Sequence, residues 1–290
     1  MSVILTDPTP DTLSTQSAKL VENRSSVLTS RRCVLSTLAV AGAATAFSGS
    51  LAGCSSDGSV PLASSTPSVL DVLNFALNLE YLEASFYLYV TTGTGLSTAD
   101  MGTGAGSVTG GAKVSFVNPI VAAVANQLAT HERQHVEFLR STITAVGGTP
   151  VPMPSINLAA GGAVTSDATF LAASRQLEAV GVSAYIGGAQ YLTSSTAALT
   201  YAAQILDTES QHAGFIRELC IALGVTSPAV DSLDQPPTAT QIFNTSNTTG
   251  LTPVRTTSQV LQIVYAAAGQ TGVSKGGFFP NGLNGTLITS

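Results

Sequence analysis

The 290-residue sequence has no tryptophan, three cysteines and three histidines, and only 10% of its residues are charged. Each scarcity excludes something. Its 11 Lys and Arg are widely scattered and outnumbered by 17 Asp and Glu. Phosphate binding needs clustered cations, so nucleic acid is excluded as a partner. The cysteines are Cys33, Cys54 and Cys220, too few for a disulfide framework. Two of them fall in an N-terminal export segment, and Cys220 is expected to be a small buried apolar residue. What the chain does have is 44% hydrophobic residues and 27 Gly. That is enough for one domain with a sizeable core, built from closely packed small side chains and polar loops.

Residues 1–30 are polar and aperiodic. Ser30-Arg31-Arg32-Cys33-Val34-Leu35-Ser36 then opens an apolar, small-residue run reaching about Leu51. This pattern resembles a twin-arginine export signal. As a transmembrane anchor the run is weak, being interrupted by Ser, Thr and Gly and short for a span of roughly 20 residues. It closes on Leu51-Ala52-Gly53-Cys54, which resembles a bacterial lipobox in which Cys54 would be lipidated. Ordinary signal cleavage with Cys54 incidental is the alternative. The expected organisation is a signal over 1–53, a Ser- and Pro-rich tether over 54–68, a helical body over 69–225 and an extension over 226–290. The expected place is the cell envelope, with a membrane anchor at Cys54.

From Val69 the apolar positions Leu73, Ala76, Leu77, Phe86 and Val90 recur at three- and four-residue spacing, which predicts a helix ending before Gly93. A Gly-rich loop over 93–111 shows no period. A second helix is predicted from Phe116 or Pro119 to Gly147, a third from Ser166 or Asp167 through Leu192, and a fourth after a short turn at 193–196, ending at Gly224. Residues 149–166 hold three prolines and a Gly-Gly, an irregular stretch that must be a crossover. The fold class is all-α, an antiparallel four-helix bundle with one long crossover between helices two and three. Past Gly224 the chain turns Pro-, Thr- and Asn-rich, with one apolar helical run at 260–268 and then Phe278 and Phe279 as anchors onto the bundle.

Two words recur on the second and fourth helices: Glu132-Arg133-Gln134-His135 and Glu209-Ser210-Gln211-His212. Residues i and i+3 share a helix face, so each helix can deliver a carboxylate and an imidazole to one metal. With eight glutamates in the whole chain, composition rarely sets one three residues before two of three histidines. The other helices each bury a glutamate among apolar neighbours, Glu80 and Glu178, and a buried carboxylate is costly unless paired or metal-bound. Glu83 shares the stripe of Glu80 and is the alternative to it. Tyr87 and Tyr185 each follow a glutamate by seven residues; they either hydrogen-bond ligand carboxylates or pack as core aromatics. His131 is read as an ordinary helix residue rather than a supporting donor. A cation-free polar network is disfavoured, because Arg133, Arg140, Arg175 and Arg217 lie on other faces.

Two Glu helices and two Glu-x-x-His helices resemble the ferritin-like di-iron and di-manganese carboxylate superfamily over about 69–225. More narrowly, Leu79-Glu80-Tyr81-Leu82-Glu83-Ala84, Glu178 to Tyr185 and Gly276-Gly277-Phe278-Phe279-Pro280-Asn281-Gly282 resemble its branch of desiccation-related and fungal stress-response proteins. The resemblance implies two Fe ions, or Mn, with Glu132 and Glu209 bridging, Glu80 and Glu178 terminal, and one ion each for His135 and His212. It says little about substrate; the expected activity of such a di-metal site is oxidation of Fe(II) or reduction of peroxide or oxygen, of ferroxidase, peroxidase or catalase type, in stress protection. A non-catalytic stress lipoprotein on the same bundle is the alternative, and a homodimer stays open.

Overall fold

The computed structural model describes residues 66–290. The expected export signal, Cys54 and most of the tether lie outside the described residues. Six α-helices follow one another: α1 (Val69–Thr92), α2 (Thr98–Met101), α3 (Pro119–Ala145), α4 (Asp167–Ala189), α5 (Thr196–Ala222) and α6 (Thr257–Val264). Two-residue strands β1 (Val108–Thr109) and β2 (Ile156–Asn157) pair in parallel, and a 3-10 turn spans Leu158–Gly161. Among the described residues no helix is long and apolar enough to cross a membrane.

The four long helices start where side chains can take up their orphan N–H groups. Ser68 and Asp71 form a capping box at α1, and Ser166 and Thr169 form another at α4. Asn118 caps α3 with Pro119 in its first turn, and Ser195 caps α5. At the other end α1 stops where Gly93 turns left-handed, φ +83°, and its N–H bonds back to the Tyr89 carbonyl.

Helix directions follow from which ends touch. Val114, ahead of α3, donates to the Val90 carbonyl near the end of α1. Gly148, just past α3, packs against Leu70 at the start of α1. These two helices are therefore antiparallel. The Asp167 carboxylate, at the start of α4, accepts the N–H groups of Val117 (3.0 Å) and Asn118 (2.7 Å) at the start of α3. Helices α3 and α4 thus run the same way, and residues 146–166 must travel the length of the bundle to join them. The short turn after Ala189 reverses the chain into α5.

Local structure departs from the sequence reading in three places. The Gly-rich loop holds α2 and β1, because Ser97 caps the Asp100 N–H and nucleates one turn too short to show a period. The crossover carries β2, pinned to β1 and, through Asn157 N–H, to the Phe278 carbonyl. The apolar run of the extension is helical at 257–264 rather than 260–268: Thr256 and Gln259 box its start, and Ala266 at φ +55° breaks it.

The extension grips the bundle through buried arginines. Arg175 of α4 binds Asp234 at 2.5 Å, the Ser227 hydroxyl and the Pro228 carbonyl. Arg217 of α5 donates to the carbonyls of Gln235, Gln241 and Ile242. Arg255 holds both Asp231 oxygens and reaches Ala179 and Ser183 on α4. Phe279 is fully buried and Phe278 partly so.

Candidate metal centre

Each of the four bundle glutamates stands at the middle of its helix. Glu80 is the twelfth residue of 24 in α1, Glu132 the fourteenth of 27 in α3, Glu178 the twelfth of 23 in α4 and Glu209 the fourteenth of 27 in α5. Helices of similar length aligned side by side meet at their midpoints, whichever way each runs. The four carboxylates consequently share one level of the core, where all are buried.

His135 and His212 turn Nδ1 into that level. His135 Nδ1 lies 2.9 Å from Glu132, 3.2 Å from Glu80 and 3.2 Å from Glu209. His212 Nδ1 lies 3.0 Å from Glu132, 3.5 Å from Glu178 and 4.0 Å from Glu209. One ring nitrogen cannot serve three carboxylates by hydrogen bonding, and the remainder shows it. Glu132 Oε1, Glu178 Oε2, both Glu209 oxygens and His212 Nδ1 are buried without a hydrogen-bond partner. Buried native polar atoms are nearly always satisfied, so five orphans aimed at one place call for a cation. Their atoms fall into two groups, each within 4.8 Å: Glu80, Glu132, His135 and Glu209, and Glu132, Glu178, Glu209 and His212. Glu132 and Glu209 belong to both. The donor set fits a pair of divalent ions.

The sequence alternatives separate in space. Glu80 is in the first group, and Glu83, one turn on, is in neither. Glu83 instead sits with Glu209 against Gly181: a Cβ there would be 2.9 Å from Glu209 Oε2 and 3.3 Å from Glu83 Oε1. A glycine inside a helix costs roughly 1 kcal/mol, and here it leaves room for carboxylates. A glycine three residues after Glu178 in a helix interior is a signal the sequence itself carries.

The tyrosines cross over. Tyr87 of α1 donates to Glu178 of α4, and Tyr185 of α4 donates to Glu80 of α1. Seven residues are two turns along a helix, and the two helices run opposite ways. Each phenol therefore lands on the opposing glutamate instead of on its own. Both phenols are buried, and burial followed by the neighbouring carboxylates holds them well above the usual tyrosine range, as proton donors.

His131 corrects the sequence reading. Its Nδ1 lies 2.9 Å from Nε2 of His212. Burial, and then the nearby His212 and His135, pull His131 below its ordinary pKa. It is held neutral and able to accept the Nε2 proton, which directs His212 to the centre through Nδ1. His131 stands outside the Glu-x-x-His words, so spacing along its helix does not mark it.

Charge in the metal-free centre is set by burial and crowding. Burial pushes Glu209 well above the usual carboxylate range, and Glu132 beside it adds to this. Glu83 is raised by burial and then by Glu209 and Glu178. Burial would raise Glu80 too, but the His135 charge outweighs it and holds Glu80 low. Burial opposes protonation of His212, yet the Glu132 and Glu178 carboxylates close to it carry it to about 11. His135 is raised likewise, by Glu80 above all. Cys220 is buried, its thiol pushed up to about 11 by that burial, and it takes no part.

A family model described as a ferritin-like domain matches residues 68–222. No curated protein matches the chain. Among solved structures, a ferritin-like diiron-carboxylate protein from Bacillus anthracis is similar at 16% identity and TM-score 0.39, covering 52% of this chain and 94% of that one. The bacterioferritin of Desulfovibrio desulfuricans is similar at 19% identity and TM-score 0.38, covering 52% and 77%. A conserved hypothetical protein of Mycobacterium tuberculosis is similar at 17% identity and TM-score 0.38, covering 51% and 93%.

Proposed function

Because the chain belongs to the ferritin-like domain family, we propose that it is a dinuclear metalloprotein of the cell envelope that oxidises Fe(II) or removes peroxide or oxygen under stress. The observation carrying this reading is the pair of four-residue ligand groups that share Glu132 and Glu209 and contain five buried atoms without partners. In this reading one ion would be held by Glu80, Glu132, His135 and Glu209 and the other by Glu132, Glu178, Glu209 and His212. Carboxylate and imidazole donors without thiolate suit iron or manganese. Two such ions side by side supply redox chemistry toward oxygen or peroxide when bound.

The chain's own groups hold that centre. Tyr87 and Tyr185 each fix one oxygen of a carboxylate, Glu178 and Glu80 respectively; the other Glu178 oxygen has no partner, and the other Glu80 oxygen lies beside His135. His131 fixes the ring of His212. Gly181 lets Glu209 and Glu83 stand close together. Export by the twin-arginine route and lipidation at Cys54 belong to the same proposal; Cys54→Ser is expected to abolish incorporation of labelled palmitate and release the chain to a soluble envelope fraction.

Anaerobic loading with Fe(II), then air, tests the function. Two ions per chain, a near-ultraviolet ferric absorption on oxidation and consumption of oxygen or peroxide are expected. A chain that retains no iron or manganese overturns the metal assignment. Bound metal with no turnover on Fe(II), peroxide or oxygen would move the protein to the non-catalytic stress-lipoprotein reading.

A further inference from the structure

Beside the candidate centre the structure holds a cavity of about 600 Å3 between α1, α4, α6 and the crossover. Small-molecule sites are clefts of roughly 300–1,000 Å3. Its floor is buried and apolar, with Leu82, Phe86 and Val180, and it ends on Glu83 and Gly181. Leu177, Ile263 and Phe278 form walls. The mouth is made of small exposed residues, among them Gly162, Ser232, Ala266 and Ala268. The sequence reading did not foresee this space, because its far wall comes from the extension.

The charge of the lining selects what fits. Among the described residues no Lys or Arg lines the cavity, and the two acids that do are Asp231 and Glu83. Both Asp231 oxygens are taken by Arg255. An anionic head therefore finds no counter-ion, and burying one would be costly. An apolar body gains from leaving water, at roughly 25 cal/mol per Å2 covered. The inner end is set apart from the candidate centre by one glycine, since a Cβ on Gly181 would stand 2.9 Å from Glu209 Oε2.

We propose that this cavity binds an uncharged lipophile, a single acyl or isoprenoid chain with a neutral head, its inner end against Glu83 and Gly181. The proposal goes beyond the redox reading and does not depend on turnover.

The test is binding of N-phenyl-1-naphthylamine, an uncharged fluorescent lipophile, to the full chain, with 1-dodecanol and dodecanoate as competitors. Saturable binding of one reporter per chain is expected, displaced by 1-dodecanol at a concentration at least tenfold below that needed with dodecanoate. Ala173→Phe and Ile263→Trp add bulk from opposite walls, and neither residue touches a ligand group. Each is expected to weaken reporter binding at least tenfold with metal content unchanged. Unsaturable partitioning, equal competition by dodecanoate, or full binding by both variants overturns the proposal. Should a variant fail to fold, photo-crosslinking of the unaltered chain with an alkyl-diazirine alcohol still decides. Adducts within 79–86, 158–181 or 259–278 support it, and adducts confined to 1–65 or the outer surface overturn it. Lost metal with retained lipophile binding would sink the redox reading alone.

Discussion

At the scale of single residues, the metal-free centre is a proton store. The His212 proton, held up to about pH 11 by Glu132 and Glu178 against an ordinary value near 6.5, stabilises the folded chain fully below about pH 6.5 and is lost as pH rises toward 11. Raised Glu209 and Glu83 act in the same direction, because they keep protons that unfolded glutamates have released. Glu80, held low, matters only at the acid end. The melting temperature in chelator is therefore expected to fall between about pH 6 and about pH 9, and less so with Mn(II) present. Calorimetric melts check this; stability rising with pH in chelator would contradict the charge assignment. Metal uptake should release protons, measurable in weakly buffered solution. The ligand groups predict stoichiometry as well. Glu80→Ala and Glu178→Ala each remove a residue from one group and should leave one ion per chain by elemental analysis, whereas Glu132→Ala or Glu209→Ala should leave none. His131→Ala is expected to weaken one ion by roughly 10–100-fold, the usual cost of losing a partner behind a ligand.

At the scale of elements, spacing along a helix acquires meaning from the direction of its neighbour. The Glu-to-Tyr spacing of seven is the same in α1 and α4, and their opposite directions turn two separate pairs into a reciprocal clasp. Glycines mark the other crossings. At Gly187 of α4 a Cβ would sit 1.9 Å from the Arg255 carbonyl oxygen, because the extension passes directly over the helix there. Gly187→Ala cannot be relieved by turning a side chain and is expected to cost roughly 1–3 kcal/mol as overpacking, read as a lowered urea midpoint. Gly188→Ala is the control: its Cβ meets only a Val72 methyl at 3.2 Å, so a smaller change is expected.

At the scale of the whole molecule, a polar-rich extension is held to an apolar bundle by one buried ion pair, Arg175 with Asp234, and by arginine bonds to backbone carbonyls. Arg175 and Asp234 are both fully covered and share their remaining bonds with Ser227, Pro228 and Val230. Removing one partner of a buried pair costs about 3–5 kcal/mol, since the other charge is left in the core. Asp234→Ala should therefore lower the melting temperature markedly and expose residues 226–256 to limited proteolysis. Unchanged protease resistance would show that the extension is held by its apolar anchors alone. Loss of this clamp is also expected to reduce lipophile binding, because α6 and Phe278 wall the cavity.

The sequence alone determined the four long helices, their approximate ends and the six ligand candidates, because helical period, caps and i,i+3 spacing are local properties. It could state that Glu132 and His135 share a face, and that four buried carboxylates need a cation. Only the tertiary structure decided which carboxylates belong to both groups, that Glu80 rather than Glu83 joins them, and that each tyrosine serves the opposite helix. Only it brought His131 behind His212 and closed a cavity with a segment that carries almost no periodic pattern. These are contacts between residues about 80 to 200 positions apart, fixed by helix direction and by the path of the crossover and extension. No local spacing encodes them.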